Sequence, residues 1–239
     1  LFSYRVLYED KNGVEIILVA SSKEVTFEWQ KFFRGLNINI EVFDIEPLAT
    51  FRGLALPLPK APVSVVDMGA VTTHVSIFDK SGLRLAYTIN IAGERFTQEI
   101  AKLLKKSDEE AEELKMRYGM EEQNEKQGKA VAAALMPLVS SLVEQIKRHL
   151  SFYESHTAHQ HLGSNQQGIK RIILSGGGAN LKGFAKFLSK ELQTEVMLGN
   201  PWVNVVETSL AELPPLSFGE SLKYAAALGL ALRAARPSL

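Results

Sequence analysis

The sequence predicts an α/β protein built from a small α/β unit followed by a larger one. Three observations lead there. Short apolar runs of period two alternate with segments of helical period, the proline pair Pro57 and Pro59 separates two different arrangements of those runs, and late in the chain an apolar strand runs through three consecutive glycines into a helix. With 239 residues, 46% hydrophobic and 23% charged, the chain is long enough for one large domain or two modest ones and lies in the ordinary globular range.

From the start, Phe2 to Tyr8 alternates, Asp10-Lys11-Asn12-Gly13 has hairpin chemistry, and Val14 to Ala20 is a second strand. Ser21 and Glu24 stand at capping-box spacing ahead of a helix that Gly35 ends. On that helix Trp29, Phe32 and Phe33 read as core. Ile38 to Phe43 alternates again and is expected to be a strand, and Pro47 opens a short helix that Pro57 and Pro59 close. Beyond the prolines, Val63 to Asp67, Thr73 to Phe78 and Leu83 to Asn90 form a β-meander turning at Gly69 and at Ser81-Gly82.

Two helices follow, Thr97 to Lys105 and Ser107 to Tyr118, the second with a capping box from Ser107 to Glu110. A polar stretch from Glu121 to Gly128 leads into a long helix whose Val131, Leu135, Leu138, Leu142, Ile146 and Leu150 make one apolar stripe. His156 to Gly168 reads as a polar loop, Ile169 to Leu174 as a buried strand, Leu181 to Leu192 as a helix, and Ser221 to Arg233 as a helix of small and apolar residues.

Charge excludes some functions. Lysine plus arginine equal aspartate plus glutamate at 27 each, so no long-range field draws the chain to nucleic acid or to an anionic membrane. Without cysteine there is neither a disulfide framework nor a thiolate zinc site, which is compatible with a reducing compartment. The longest apolar stretch, Ala130 to Val139, contains Pro137 and falls short of the ~20 residues that span a bilayer, so no membrane insertion is expected. The chain opens at Leu1 inside a strand-like run, with neither an initiator Met nor a signal segment, and is expected to be a trimmed portion of a longer protein.

Three constellations carry chemistry. In Asp67-Met68-Gly69-Ala70-Val71-Thr72-Thr73, a glycine turn would bring backbone to a phosphate, the hydroxyls would donate to it, and Asp67 would order a magnesium ion; the competing reading is an ordinary hairpin. Gly176-Gly177-Gly178, between strand and helix, gives up conformational entropy that a simple connection does not require, so a ligand-facing loop is favoured over a flexible joint. Glu112 and Lys115 share a helix face, where they could grip a ribose or adenine edge or form a solvated salt bridge. His156, His159 and His161 have only Glu154 nearby and read as loop, not metal ligands. No Ser-His-Asp arrangement can be assembled.

The order of these motifs, Asp67-Met-Gly69, then Ala92-Gly93-Glu94-Arg95-Phe96-Thr97, then Ala111 to Gly119, then Leu174 to Leu181, resembles the second half of the superfold shared by actin, the sugar kinases and the large heat-shock ATPases. Within it the chain is similar to the PilM family of type IV pilus machines and to its relative FtsA. The marks are Ala111 to Lys115, Ile146 to Tyr153, Asn200-Pro201-Trp202, and Ser217 to Ser221 with Tyr224 to Ala231. The resemblance implies an actin-like (ribonuclease H-like) two-lobed fold with a small extra α/β subdomain. Residues 1–44 would end that subdomain, 45–60 return into the first lobe, and 61–239 form the second lobe with a helical insertion at about 97–128. The first phosphate loop would lie upstream of Leu1, and the family's Gly-Gly reads Gly93-Glu94 here.

By the same resemblance Asp67, Gly69, Ala70, Thr72 and Thr73 are the second phosphate loop, Glu112 and Lys115 contact the nucleoside, and Gly176, Gly177 and Gly178 are the adenosine loop; Gly93 and Asn180 complete the site. ATP or ADP is the implied cofactor, with Mg2+ at Asp67, and no catalytic residue is assigned. The implied function is a cytoplasmic scaffold with little or no turnover. It would recruit the cytoplasmic tail of the inner-membrane protein PilN, lie peripheral to the bacterial inner membrane through that partner, leave room for self-association, and bind no nucleic acid. The alternatives are an FtsA-like division protein, which would carry an amphipathic membrane helix, and an active kinase or ATPase of the same superfold, which would turn over at roughly 1–100 per second.

Overall fold

The computed structural model describes residues 1–11, 13–54, 58–121, 125–156, 168–205 and 214–235. Strands β1 (Phe2–Asp10) and β2 (Gly13–Ala20) pair antiparallel as a two-stranded sheet. Helices α1 (Lys23–Gly35) and α2 (Glu46–Leu54) follow. A five-stranded sheet then assembles in the order β5-β4-β3-β6-β7 from β3 (Val63–Met68), β4 (Thr73–Asp79), β5 (Gly82–Ile89), β6 (Arg171–Ser175) and β7 (Glu195–Leu198). The meander pairs antiparallel because tight turns join its strands, whereas β6 lies parallel to β3 and so needs a long crossover. Helices α3 (Gly93–Leu104), α4 (Asp108–Tyr118) and α5 (Lys126–His156) supply it. After β6 come a 3₁₀ turn (Gly177–Asn180) and α6 (Phe184–Leu192), and the chain ends in α7 (Phe218–Ser221), a second 3₁₀ turn (Leu222–Tyr224) and α8 (Ala225–Ala235).

Alternation along the strands builds a core on each face of this sheet. Val66, Met68, Val75, Ile77 and Ile89 meet α3, α5 and α6, while Val65, Leu83 and Ile173 meet Phe51 and Leu54 of α2 and Ala225 of α8, with the Phe51 and Phe78 rings stacked at 3.9 Å. The stripe read from the sequence is what α5 buries: Val131, Leu135, Leu142 and Ile146 are all inaccessible. By length and composition alone α5 would also be long and apolar enough to cross a membrane, but this stripe is part of the core. The capping box on α4 forms as expected, Glu110 N donating to Ser107 Oγ at 3.2 Å and Ser107 N to Glu110 Oε2 at 3.1 Å. Ser107→Ala is therefore expected to destabilise the protein by about 1 kcal/mol in denaturant titration, and Ser107→Gly by only a few tenths.

Several expectations are corrected. Ile38 to Phe43 has no regular secondary structure, because alternation makes a strand only beside a partner edge and no described strand runs alongside. Helix α1 is capped at Ser22, not Ser21, and with no side-chain cap bond, because Ser21 Oγ turns to Thr26 Oγ1 at 3.2 Å. Trp29 and Phe32 are not core; more than half of each is exposed, and with Phe33 they form a cluster of stacked and edge-on rings on one face of α1. The reading stopped short of β7, four residues of alternating exposure at the sheet edge. His159 and His161 lie outside the described residues.

The hairpin β1–β2 packs at one end of the large sheet. Glu15 accepts from Arg84 Nη2, whose Nε stands 3.4 Å from the buried Asp79. Ile17 joins the α2-side core. The opposite face of the hairpin, with Phe2, Tyr4, Val6, Ile16 and Leu18, is open to solvent.

Candidate functional site

The other end of the sheet, where β3 and β6 finish, carries the candidate residues. Pairing sets Ser175, Asp67, His74 and Thr88 directly opposite one another across β6, β3, β4 and β5, so their side chains share the α2 face. Thr50 of α2 donates to Asp67 Oδ2 at 3.1 Å. Burial pushes the Asp67 carboxyl above its ordinary range and the neighbouring Glu46 adds to this, while the Thr50 hydrogen bond and His74 oppose it. An aspartate so placed would be relieved by a cation.

The turn after β3 is closed by Gly69 N donating to the Thr72 carbonyl at 2.9 Å. Its carbonyls at Gly69 and Ala70 accept from Gly93 N at 3.2 Å and Glu94 N at 2.8 Å, so the turn is clamped to the start of α3. The two threonines part company because successive strand residues face opposite ways. Thr72 Oγ1 lies 3.2 Å from His74 Nε2, whereas Thr73 is fully buried and donates to the Ile91 carbonyl at 2.7 Å. Thr73 therefore does not offer its hydroxyl to the cleft, contrary to the sequence expectation.

Glu112 and Lys115 form more than a solvated pair. Lys115 Nζ donates to the Gly93 carbonyl at 3.0 Å, Thr97 Oγ1 at 2.8 Å and Glu112 Oε2 at 2.6 Å. Burial alone would raise the Glu112 carboxyl, yet hydrogen bonds from Lys115 and Thr97 hold it below its ordinary value. Glu112 is thus favoured as the carboxylate, and the pair is fixed against α3.

The glycine run has a different cause from the one the sequence suggested. Gly176 has φ +79°, and a Cβ there would collide with the Met68 carbonyl and with Asp67 Oδ1; one at Gly178 would strike the Met68 side chain and carbonyl. What approaches these two glycines is the protein's own β3. Only Gly177 looks outward, toward the aliphatic stem of Lys223. Asn180 Nδ2 donates to the carbonyls of Gly177 at 3.2 Å and Gly219 at 2.8 Å, tying the turn to α7.

These segments enclose one cavity of about 790 Å³, within the range of ligand sites. Asp67, Gly69, Ala70, Gly93, Glu112, Lys115, Gly176, Gly177, Gly178 and Asn180 all line it; Thr72 and Thr73 do not. Glu94, which stands in place of the family's second glycine, lines it too, as do residues the sequence reading did not assign to the site, notably Glu46, Met116, Ser217, Glu220 and Lys223. The Ser217 to Glu220 spacing is a capping box that was there to be read, and it forms. The five carboxylates Glu46, Asp67, Glu94, Glu112 and Glu220 outnumber the ammonium groups Lys115 and Lys223. Among the described residues no group of three or more metal-ligating side chains is gathered, so a cation here would have to share its ligands with a bound anion.

A mixed sheet in this order, with a cleft where β3 and β6 end, belongs to the actin-like α/β class. The solved PilM–PilN type IV pilus biogenesis complex matches 99% of this chain and 67% of that chain, with TM-score 0.79 and 24% identity. MreB5 of Spiroplasma citri bound to AMPPNP matches 89% of this chain and 65% of that one, with TM-score 0.65 and 12% identity. The chain belongs to the type IV pilus assembly protein PilM family, whose model matches residues 4–235. Among curated proteins, the cell division protein FtsA of Pseudomonas aeruginosa is 24% identical over 213 residues, 81% of this chain and 49% of that protein. The chain thus spans about half the length of the curated relatives it matches.

Proposed function

We propose that this chain is the nucleotide-binding part of a type IV pilus assembly scaffold. The observation that carries the reading is convergence: the Asp67–Ala70 turn, the start of α3, the Glu112–Lys115 pair and the Gly176–Gly178 turn, far apart in sequence, border one cavity. ATP or ADP would lay its adenosine between the Gly177 turn, Lys223 and the Glu112–Lys115 pair, and its phosphates at the Gly69–Ala70 turn. Asp67 would hold Mg2+ or its water shell, which offsets both its own unfavourable burial and the excess of carboxylates. The Spiroplasma citri neighbour, solved with AMPPNP, supports the cofactor class.

The partner in this reading is the cytoplasmic tail of a PilN-like inner-membrane protein, which would hold the scaffold peripherally at the cytoplasmic face. The solved PilM–PilN complex supports it, and so does the hairpin of residues 1–44, whose solvent-facing Tyr4–Leu18 and Val6–Ile16 pairs offer apolar anchors beside unpaired strand edges. In the same reading residues 45–60 return into a first lobe and 61–239 form the second. The hairpin touches the Asp79–Gly82 end of the sheet and the cavity lies at the Asp67–Thr73 end, roughly 20 Å away along β4. An effect of nucleotide on a tail held by the hairpin would therefore pass through the sheet or through α2, which packs near Ile17 and carries Glu46 to the cavity.

Titration of full-length protein with fluorescent ATP and ADP tests the nucleotide. Binding is expected in Mg2+ and at least about tenfold weaker in EDTA, the worth of a charge-assisted contact; no binding in either would sink the reading. Tail peptide titrated with and without ATP tests the partner: no binding in either condition removes recruitment, and equal binding removes the switch. Phosphate release at roughly 1–100 per second would replace the scaffold with an enzyme.

A further inference from the structure

His74 lies just beyond the cavity wall and is held at both ring nitrogens. Nδ1 is 3.1 Å from Thr88 Oγ1, while Nε2 has two neighbours, Thr72 Oγ1 at 3.2 Å and Glu46 Oε2 at 3.4 Å. The first belongs to the residue that closes the Gly69 turn; the second lines the cavity. A neutral imidazole nitrogen has either a proton or a lone pair to offer, so Nε2 cannot serve both neighbours in the same way. If it accepts from Thr72, Nδ1–H donates to Thr88 and the Thr72 proton is committed to the ring. If it carries the proton and donates to Glu46, Thr88 donates to Nδ1 and the proton of Thr72, which stands behind the cavity lining at the foot of the Gly69–Ala70 turn, is released from the ring and free to turn toward an anion held there.

The order of the sheet says which part of a ligand would feel this. The Gly176 turn extends from β6, Asp67 stands on β3 and His74 on β4, each about 4.8 Å further across. A nucleotide with its base at the β6 turn and its first phosphates at the β3 turn points its last phosphate toward β4. We propose that His74 is a positioning residue for that last phosphate: by holding Glu46 and directing the Thr72 hydroxyl, it lets the cavity distinguish a nucleoside triphosphate from a diphosphate. The proposal rests on the nucleotide reading above.

The test is the ratio of MgATP to MgADP affinity in full-length protein, measured for wild type, His74→Phe, His74→Gln and Thr88→Val. His74→Phe is expected to lower ATP affinity about five- to tenfold with ADP affinity changed by less than about twofold, the loss of one hydrogen bond felt by one ligand only. Thr88→Val, at an exposed position that should not disturb folding, moves the ratio the same way by a smaller factor, and His74→Gln, which keeps an N–H donor, retains most of the discrimination. An unchanged ratio in both His74→Phe and Thr88→Val, or equal loss of both nucleotides, overturns the role of His74 while leaving the site in place. Should His74→Phe not fold, Thr88→Val decides by itself. Wild type that binds neither nucleotide overturns the underlying reading and this one with it.

Discussion

Gly229→Val is expected to destabilise the protein by about 3 kcal/mol or more, toward or beyond the upper end for overpacked sites. Helices α2 and α8 cross with backbone against backbone: a Cβ at Gly229 would overlap the Ala49 carbonyl, and one at Gly53 would overlap the Ala225 carbonyl. Backbone cannot swing aside as a side chain can, so the helices must separate. The crossing is also held by charge. Asp44, almost inaccessible, accepts from Arg52 Nη1 at 3.0 Å and Arg233 Nη1 at 2.7 Å, and Arg52 Nη1 also reaches the Gly229 carbonyl at 3.1 Å. Separation would strain both ion pairs and the Phe51 and Leu54 packing at once. In a chain of this size each kcal/mol moves Tm by roughly 2–4 °C, so the loss is readily seen by thermal denaturation. Gly35→Val, where a Cβ meets nothing within 4 Å, is the control. A Gly229→Val protein as stable as wild type would show that the crossing is looser than described. Because α2 also carries Glu46 to the cavity and Thr50 to Asp67, the variant should bind nucleotide poorly even where it remains folded.

Asp67→Asn is expected to separate stability from binding. The amide keeps an acceptor for Thr50 and nearly the same volume, but removes the charge that would face a cation, so MgATP affinity should fall about tenfold or more. Without nucleotide the same change should stabilise. The Asp67 carboxyl is raised in the folded chain above its ordinary value of 3.8, so the folded state binds this proton more tightly than the unfolded state does. The resulting penalty is absent below about pH 3.8, grows as pH rises through the raised value and is complete above it. At neutral pH the Asn variant should therefore melt higher than wild type, and the gap should close as the pH is lowered toward 4. Undiminished Mg-nucleotide binding by the variant would remove Asp67 from the site, and a lower melting temperature at neutral pH would contradict its unfavourable burial.

Local patterns were the legible part of this chain. The meander could be read because alternation and the turns at Gly69 and Ser81-Gly82 act within a few residues, and α4 because its capping box spans one turn. The stripe of α5 was equally plain, since one helix face repeats every three to four residues. Where the reading failed, the missing information lay elsewhere in the chain. Ile38 to Phe43 alternates without a described strand edge beside it, and the Trp29 helix is amphipathic without a described surface to cover that face.

The candidate site divides along the same line. Residue order alone singled out Asp67, Glu112, Lys115 and the glycine run, because glycines at strand ends and an acid–base pair on one helix face are visible one segment at a time. Glu46 and Lys223 could not be found that way, as Glu46 on α2 and Lys223 in the 3₁₀ turn leading into α8 reach the cavity from distant parts of the chain only once α2 and α8 have crossed. The register of β4 on β3 likewise decides that Thr73 turns inward while Thr72 meets His74. Periodicity and turn chemistry are properties of neighbours in sequence and survive in a single chain read by itself. Which carbonyl fills the space above Gly176, and which strand edge receives a partner, depend on long-range packing that no local pattern encodes.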